Sequence, residues 1–462
     1  MFIQQLYTNC LSEAAYYVES NGEAVVVDPL RDYREYTKLA SERKATIKYV
    51  FETHFHADFV SGHIDLAKQT GSRIVFGPQA ETNFDAYNAK DGERFQVGAI
   101  TIEVMHTPGH TPDSSCYLLR DENGKPHCIF TGDTLFVGDV GRPDLFGTKI
   151  SKEDLAGMLY DSLATLKALP DDVIVYPAHG PGSSCGKNIG KETWSTIGEQ
   201  KKLNYAMQEQ TREEFIKNVT TGLTAPPRYF PLNATLNKQG AESFDTILKN
   251  IKALSVNDVE SLIHEGVYVL DVRHENEFEN GFIPGSFFVG LHGRFAEWVG
   301  TLFDIKQPFV IVAPAGQEEE TIIRMSRVGY DNVKGYLQGG FEAWKNAGKP
   351  FDMIISVDTE ELDLDLKHDN ITVVDVRKNS EFVAGHIEDA INVPLQSFET
   401  SLAERDLPKD EKLFVHCQGG YRSMIAASIL RRKGFEIIRN VLGGYNAISK
   451  TIIKTVQEKL TA

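Results

Sequence analysis

Two groups of residues in this chain have types and spacings that could do chemistry. The first is a series of imidazoles and carboxylates: His54-Phe55-His56-Ala57-Asp58-Phe59, Thr107-Pro108-Gly109-His110, Phe130-Thr131-Gly132-Asp133 and Tyr176-Pro177-Ala178-His179. Imidazole and carboxylate are the ligands that suit divalent zinc, iron or manganese. On loops at strand ends, residues far apart in sequence could converge on one ion. The second group is Cys417-Gln418-Gly419-Gly420-Tyr421-Arg422-Ser423, between an apolar strand and an apolar-periodic helix. Backbone N–H groups at such a strand–loop–helix junction point inward and favour an anion. With Arg422 they would hold the Cys417 sulfur as a thiolate, a nucleophile. Gln418, Gly419, Gly420, Tyr421 and Arg422 are therefore the expected substrate cradle.

These loops need domains to position them. A chain of 462 residues suggests about three domains at roughly 100–200 residues each. Residues 1–240 alternate short apolar strands, such as Glu23-Ala24-Val25-Val26-Val27-Asp28, with turns and helices, and their histidine-rich loops come directly after the strands. Three prolines between Thr221 and Pro231 read as an ordered, non-regular connector that closes this block. The remainder of the chain is a repeat. Tyr268-Val-Leu-Asp-Val-Arg273 recurs as Thr372-Val-Val-Asp-Val-Arg377, and Gly339-Gly340 recurs as Gly443-Gly444, both at an offset of 104 residues. Two landmarks at one spacing imply duplicated domains, at 250–350 and 355–462, each a small parallel α/β domain.

The bulk numbers narrow the classes of function. A net charge of −17 argues against a nucleic-acid or anionic-membrane partner. Met1-Phe2-Ile3-Gln4-Gln5 does not start a secretory signal, and no apolar stretch approaches the ~18 residues of a membrane span. Five widely spaced cysteines form no CxxC pair and no secreted-type framework, so a cytoplasmic setting with free thiols is expected. A homo-oligomer is also expected.

The histidine series resembles the metallo-β-lactamase superfamily, in its glyoxalase II and persulfide dioxygenase branch. That resemblance implies an αβ/βα sandwich with a metal at one sheet edge. The superfamily pattern is His-x-His-x-Asp-His, and this chain departs from it at Phe59. In the dinuclear hydrolases that last histidine helps to hold the second metal, so Phe59 speaks for a mononuclear site. By resemblance to the persulfide dioxygenases, one Fe(II) per chain would be held by His54, His110 and Asp133. Two imidazoles and a carboxylate leave coordination positions open for substrate and O2. His56, Asp58 and His179 would then orient ligands or a bound water. Arg142 is a candidate for a substrate carboxylate or for a structural salt bridge, and Cys185, in a glycine-rich loop after His179, for a sulfur relay.

Cys417 and its loop resemble a rhodanese, together with Asp375-Val376-Arg377 and Gly385-His386-Ile387. The Cys-x4-Arg spacing is one residue shorter than the loop by which related phosphatases hold phosphate, which suits a persulfide sulfur. In the earlier copy the repeat register brings Val312-Ala313-Pro314 to the cysteine position, succeeded by Glu318-Glu319-Glu320, and Phe282 replaces His386. Without nucleophile or basic cradle, this copy is expected to scaffold or dock.

The whole resembles the persulfide dioxygenase–rhodanese fusions. This implies oxidation of a low-molecular-weight persulfide (of glutathione, coenzyme A, bacillithiol or a similar thiol) with O2 to sulfite. Cys417 would then pass sulfur to sulfite to give thiosulfate. Two alternatives stand beside this reading: a zinc thioester hydrolase of the glyoxalase II type, and a non-catalytic persulfide carrier or sensor.

Overall fold

In the computed structural model, which describes residues 1–458 apart from 148, 250 and 406, the chain divides into two compact units. The boundaries expected at 250 and 462 fall outside the described residues. The first unit comprises Met1–Leu248 with Met325–Asp331, and the second Lys249–Arg324 with Asn332–Ala462.

The first unit holds two six-stranded sheets. One runs in chain order through Phe2–Thr8, Glu13–Ser20, Glu23–Val27, Thr46–Glu52, Arg73–Phe76 and Tyr87–Asn88. The other is built from Arg94–Val97, Ile100–His106, Ser115–Arg120, Pro126–Gly132, Ile174–Pro177 and Ser195–Thr196. Valine-rich Glu23–Val27 is buried on both faces, because each sheet has a sheet on one side and helices on the other. Val25, Val27, Phe51, Ile102, Tyr117 and Phe130 fill the layer between the sheets. Tyr36 and Leu66, from helices Arg34–Arg43 and His63–Thr70, cover the outer face of the first sheet. Leu159, Leu163 and Phe215, from Lys152–Lys167 and Arg212–Thr220, cover the second. This is the expected αβ/βα sandwich.

Parallel pairing sets where the polar loops emerge. Glu23–Val27 lies parallel to Thr46–Glu52, so Asp28 and the His54 loop leave the sheet at one edge. In the second sheet, Pro126–Gly132 lies parallel to Ile174–Pro177, bringing Asp133 and His179 out together. The ladder bulges at Gly132, which has a φ of 50° and whose Cβ would lie 2.5 Å from Thr53 Oγ1. Only glycine fits there.

The proline-rich connector does not end the first unit. Residues 221–229 are non-regular, but Pro231 sits in the first turn of a helix, Phe230–Gln239, where its missing N–H costs nothing. A further helix, Phe244–Lys249, comes next.

The second unit carries the repeat. Its two five-stranded sheets have the same order: Ala253–Leu254, Val333–Leu337, Phe309–Val312, Tyr268–Asp271, Phe287–Phe288; and Ile355–Val357, Ile438–Val441, Lys412–His416, Ile371–Asp375, Ile391–Asn392. All pairs in both sheets are parallel. The duplication extends to buried polar groups. Arg273 forks onto Asp271 and donates to Gly281 O, and Arg377 does the same with Asp375 and Gly385 O. Among the described residues, no helix is long and apolar enough to cross a membrane.

Candidate metal centre and cysteine loop

At the sheet edge of the first unit, three imidazoles point the same kind of atom at one carboxylate. His54 Nε2 and His110 Nε2 lie 3.9 and 3.4 Å from Asp133 Oδ2. His179 Nε2 lies 3.4 Å from Asp133 Oδ1 and 3.4 Å from Asp58 Oδ2. All five side chains are buried.

Each ring is oriented through its other nitrogen. His54 Nδ1 meets Thr53 Oγ1 at 3.0 Å, and that hydroxyl donates to Asp28 at 2.9 Å, so the network assigns the His54 proton to Nδ1. His110 Nδ1 lies 2.8 Å from Arg142 O, and His179 Nδ1 lies 3.2 Å from Ser12 O. Oxygen acceptors at Nδ1 leave Nε2 as the free lone pair, the usual arrangement behind a metal-ligating histidine. Burial, reinforced by His56, His110 and His179, pushes the His54 pKa well below its ordinary value and keeps the ring neutral, as metal binding requires.

The donor set fits an ion. Both Asp133 oxygens, Asp58 Oδ1 and His179 Nε2 are buried without a hydrogen-bond partner, and orphaned polar atoms are costly unless something charged meets them. The ligand atoms of His54, His110 and Asp133 all lie within 4.8 Å of one another; so do those of His56, Asp58 and His179, and those of Asp133, His179 and Cys185. The expected trio is thus brought together. His179 and Cys185 reach the same carboxylate, and Asp58 joins them through His179.

His56 faces both ways. Its Nε2 lies 3.0 Å from Asp28 Oδ1 and 3.6 Å from Glu52 Oε2. Burial alone would lower its pKa, but Asp28, Glu52 and Asp58 outweigh burial and raise it to about 10. Its charge partner is chiefly Asp28, since burial pushes the Glu52 carboxyl well above the ordinary carboxylate range. Phe59 is fully buried and lies against its ring, with centroids 4.4 Å apart.

The Arg142 guanidinium is fully committed. It pairs with Asp144 at 2.6 and 2.8 Å and donates to the carbonyls of Ser184 and Thr224. Of its two expected roles, the structure shows the salt bridge, and the backbone carbonyl of Arg142 is what serves His110. Asp28, Thr53 and Asn237 were not foreseen. The Asn237 amide donates to His56 O at 2.8 Å and Phe59 O at 2.7 Å, and its oxygen accepts from Ser61 N. Asp28 carried a faint sequence signal, a carboxylate directly after an apolar strand, whereas Asn237 carried none.

In the second unit, Gly420 N–H donates to Cys417 Sγ at 3.1 Å, and Gly420 has a φ of 117°. The loop is pinned from behind by Tyr445 N and Asn446 N, which donate to the carbonyls of Cys417 and Gln418. Three of the expected cradle side chains are otherwise engaged. Arg422 is bidentate on Glu381 at 2.7 and 2.9 Å. The Tyr421 hydroxyl donates to Gly290 O at 2.7 Å. Gln418 joins Arg377 and Asn446. Cys417, Gly419, Tyr421 and Arg422 line a cleft of about 720 Å³. At the equivalent point of the first copy, strand Phe309–Val312 runs into Ala313, and three glutamates open the helix Glu318–Ser326.

A buried histidine–carboxylate centre on an αβ/βα sandwich, in a chain that also carries a thiol loop on a duplicated α/β fold, defines a metal-binding enzyme with an appended thiol-bearing pair of domains. Family models match accordingly: "Metallo-beta-lactamase superfamily" over residues 8–179, and "Rhodanese-like domain" over 255–347 and 358–451. A solved metallo-beta-lactamase from Staphylococcus aureus subsp. aureus COL is 30% identical, covering 73% of this chain and 98% of that one with a TM-score of 0.65. The structure of ETHE1 from Myxococcus xanthus is 30% identical, covering 52% of this chain and 98% of that one, with a TM-score of 0.44. Among curated proteins, the probable hydroxyacylglutathione hydrolase glo2 of Schizosaccharomyces pombe is 34% identical over 30% of this chain, which spans half the length of that relative. A second probable hydroxyacylglutathione hydrolase of the same yeast is 28% identical over 48% of this chain and 91% of its own. This chain belongs to the metallo-β-lactamase superfamily, and its sandwich domain is succeeded by two rhodanese-like domains.

Proposed function

We propose that the chain is a persulfide dioxygenase joined to a sulfurtransferase. The first activity is R–S–SH + O2 + H2O → R–SH + SO3²⁻ + 2 H⁺. The observation that carries it is the convergence of His54, His110 and Asp133 beside a phenylalanine at position 59. A ferrous ion held by two imidazoles and one carboxylate would supply oxygen activation, with positions open for substrate. The protein's own part is orientation and exclusion of water. Thr53 and the Arg142 carbonyl fix the two rings, and Phe59 keeps an apolar wall beside His56. Cys417, as the persulfide Cys–S–S⁻, would give its outer sulfur to sulfite: Cys–S–S⁻ + SO3²⁻ → Cys–S⁻ + S2O3²⁻. Its S–S bond breaks and the sulfur–sulfite bond forms. The test is an oxygen-electrode assay with glutathione persulfide, with metal content measured on the same sample. Oxygen uptake with one iron per chain is expected.

A second reading has specific support. His179 meets the second oxygen of Asp133 and also Asp58, and the curated relatives are named as hydroxyacylglutathione hydrolases. Two zinc ions per chain, hydrolysis of a glutathione thioester and no oxygen uptake would select that reading.

A further inference from the structure

The cleft at Cys417 is not built by the cysteine-bearing copy alone. Glu275, His292, Arg294 and Glu297 of the first rhodanese-like copy line it together with Lys378 and Arg422 of the second. The junction is specific. The Tyr421 hydroxyl donates to Gly290 O, and a Cβ on Gly293 would lie 2.3 Å from the Tyr421 ring, so the loop at 290–293 is shaped to receive that residue. Phe288 N–H donates to Ser428 Oγ on the helix after the cysteine loop. The first copy has lost its own nucleophile but keeps this wall.

Size and charge say what the wall suits. About 720 Å³ is far more than sulfite or thiosulfate fills and falls in the usual range for small organic ligands, roughly 300–1,000 Å³. Three carboxylates (Glu275, Glu297, Glu381) face three cations (Arg294, Lys378, Arg422) around the cleft. Arg422 is bound to Glu381, Arg294 contacts Glu297 at 2.5 Å, and His292 Nε2 lies 2.9 Å from Glu275. A cleft built for a donor that carries a polyphosphate would show an excess of cations. This one is balanced, with both signs on the first copy's side.

We infer that the first copy is the recognition wall of the Cys417 cleft, and that the sulfur donor admitted there is a zwitterionic, amino-acid-type persulfide bearing both an ammonium and a carboxylate. The donor's ammonium meets Glu275 and Glu297, and its carboxylate meets Arg294 and Lys378. Its outer sulfur is then presented to Cys417: R–S–S⁻ + Cys–S⁻ + H⁺ → R–SH + Cys–S–S⁻. Sγ attacks the outer sulfur, the donor S–S bond breaks, and the thiol leaves with the proton, with no net oxidation. This inference rests on the reading of Cys417 as a sulfur-transfer site.

The experiment measures anaerobic sulfur loading of Cys417 in the full chain by intact-protein mass, with Cys417→Ser as background. Cysteine persulfide, with both charges, is compared with 3-mercaptopropionate persulfide, which lacks the ammonium. The native chain is expected to prefer the first by about tenfold, the worth of one charge pair at ~1.4 kcal/mol. Glu275→Gln combined with Glu297→Gln is expected to bring the ratio close to one. The ratio is the readout because a merely distorted loop slows both donors alike. No preference in the native chain overturns the inference, as does a preference that survives both substitutions or equal slowing of both donors in each single variant. If neither donor loads Cys417 in the native chain, the sulfur-transfer reading itself fails.

Discussion

The ring of Phe59 lies against that of His56, with centroids 4.4 Å apart and planes 31° from parallel. At this position the superfamily pattern places its last histidine, so an apolar ring here covers a buried cation in place of a second-metal ligand. Phe59→His should raise metal stoichiometry above one per chain under excess zinc, because His179 already stands between Asp58 and Asp133. Metal analysis after gel filtration checks this. An unchanged ratio would mean that other residues set the number of ions.

The trio makes a sharper prediction. His54→Ala, His110→Ala and Asp133→Ala should each abolish oxygen uptake and bound iron while leaving thiosulfate:cyanide sulfur transfer at its native rate. The reason is that Cys417 belongs to a separate unit. Full iron and oxygen uptake in all three variants would remove these residues from the site.

Much of this was legible in the sequence, for identifiable reasons. Valine-rich strands ending in polar loops announce an α/β sandwich, and a repeat at one fixed offset announces duplicated domains, down to the paired Asp271–Arg273 and Asp375–Arg377 forks. The resemblance named His54, His110 and Asp133 together, and these three side chains do lie close to one another. Residues that act through tertiary contact were not legible. Nothing in the string His54-Phe55-His56 says that His56 turns toward Asp28 and Glu52. Nor does Asn237, far along the chain, reveal that it holds the carbonyls of His56 and Phe59. For Tyr421 and Arg422 the loop predicted substrate contact, but Gly290 and Glu381, distant in sequence, claim their polar ends.

Asn237→Ala should lower stability by about 1–3 kcal/mol, since it strands two buried carbonyls and the Ser61 N–H. The same variant should lose iron faster to a chelator, because those carbonyls belong to the metal loop. Chemical denaturation and a chelation time course would show both effects. A variant indistinguishable from the native chain would mean that the loop holds its shape without that amide.

His56→Gln removes the charge partner of Asp28. Because the folded pKa is raised, to about 10, from an ordinary value near 6.5, the stabilisation is complete below that ordinary value. It is lost as pH rises through the folded value. The variant should therefore be less stable by about 3–5 kcal/mol near pH 6, with the difference shrinking as pH rises through about 10. A gap independent of pH would show that His56 acts by packing and not by charge.

Cys417→Ser tests the division of labour. A serine hydroxyl nearly keeps the size of the side chain, and Gly420 N–H can still donate to it, so the loop should hold its form. It has no sulfur to accept a second sulfur, and at working pH it is not an anion. Persulfide oxidation should continue, since none of the residues around Asp133 comes from that loop. The product should change from thiosulfate to sulfite, apart from the slow uncatalysed reaction of sulfite with persulfide. Bromobimane labelling of the products, run beside an oxygen trace, separates the outcomes. Unchanged thiosulfate would place sulfur transfer elsewhere in the chain. Loss of oxygen uptake would mean that the metal centre turns over only when Cys417 takes up sulfur, which would make the two activities one obligate cycle.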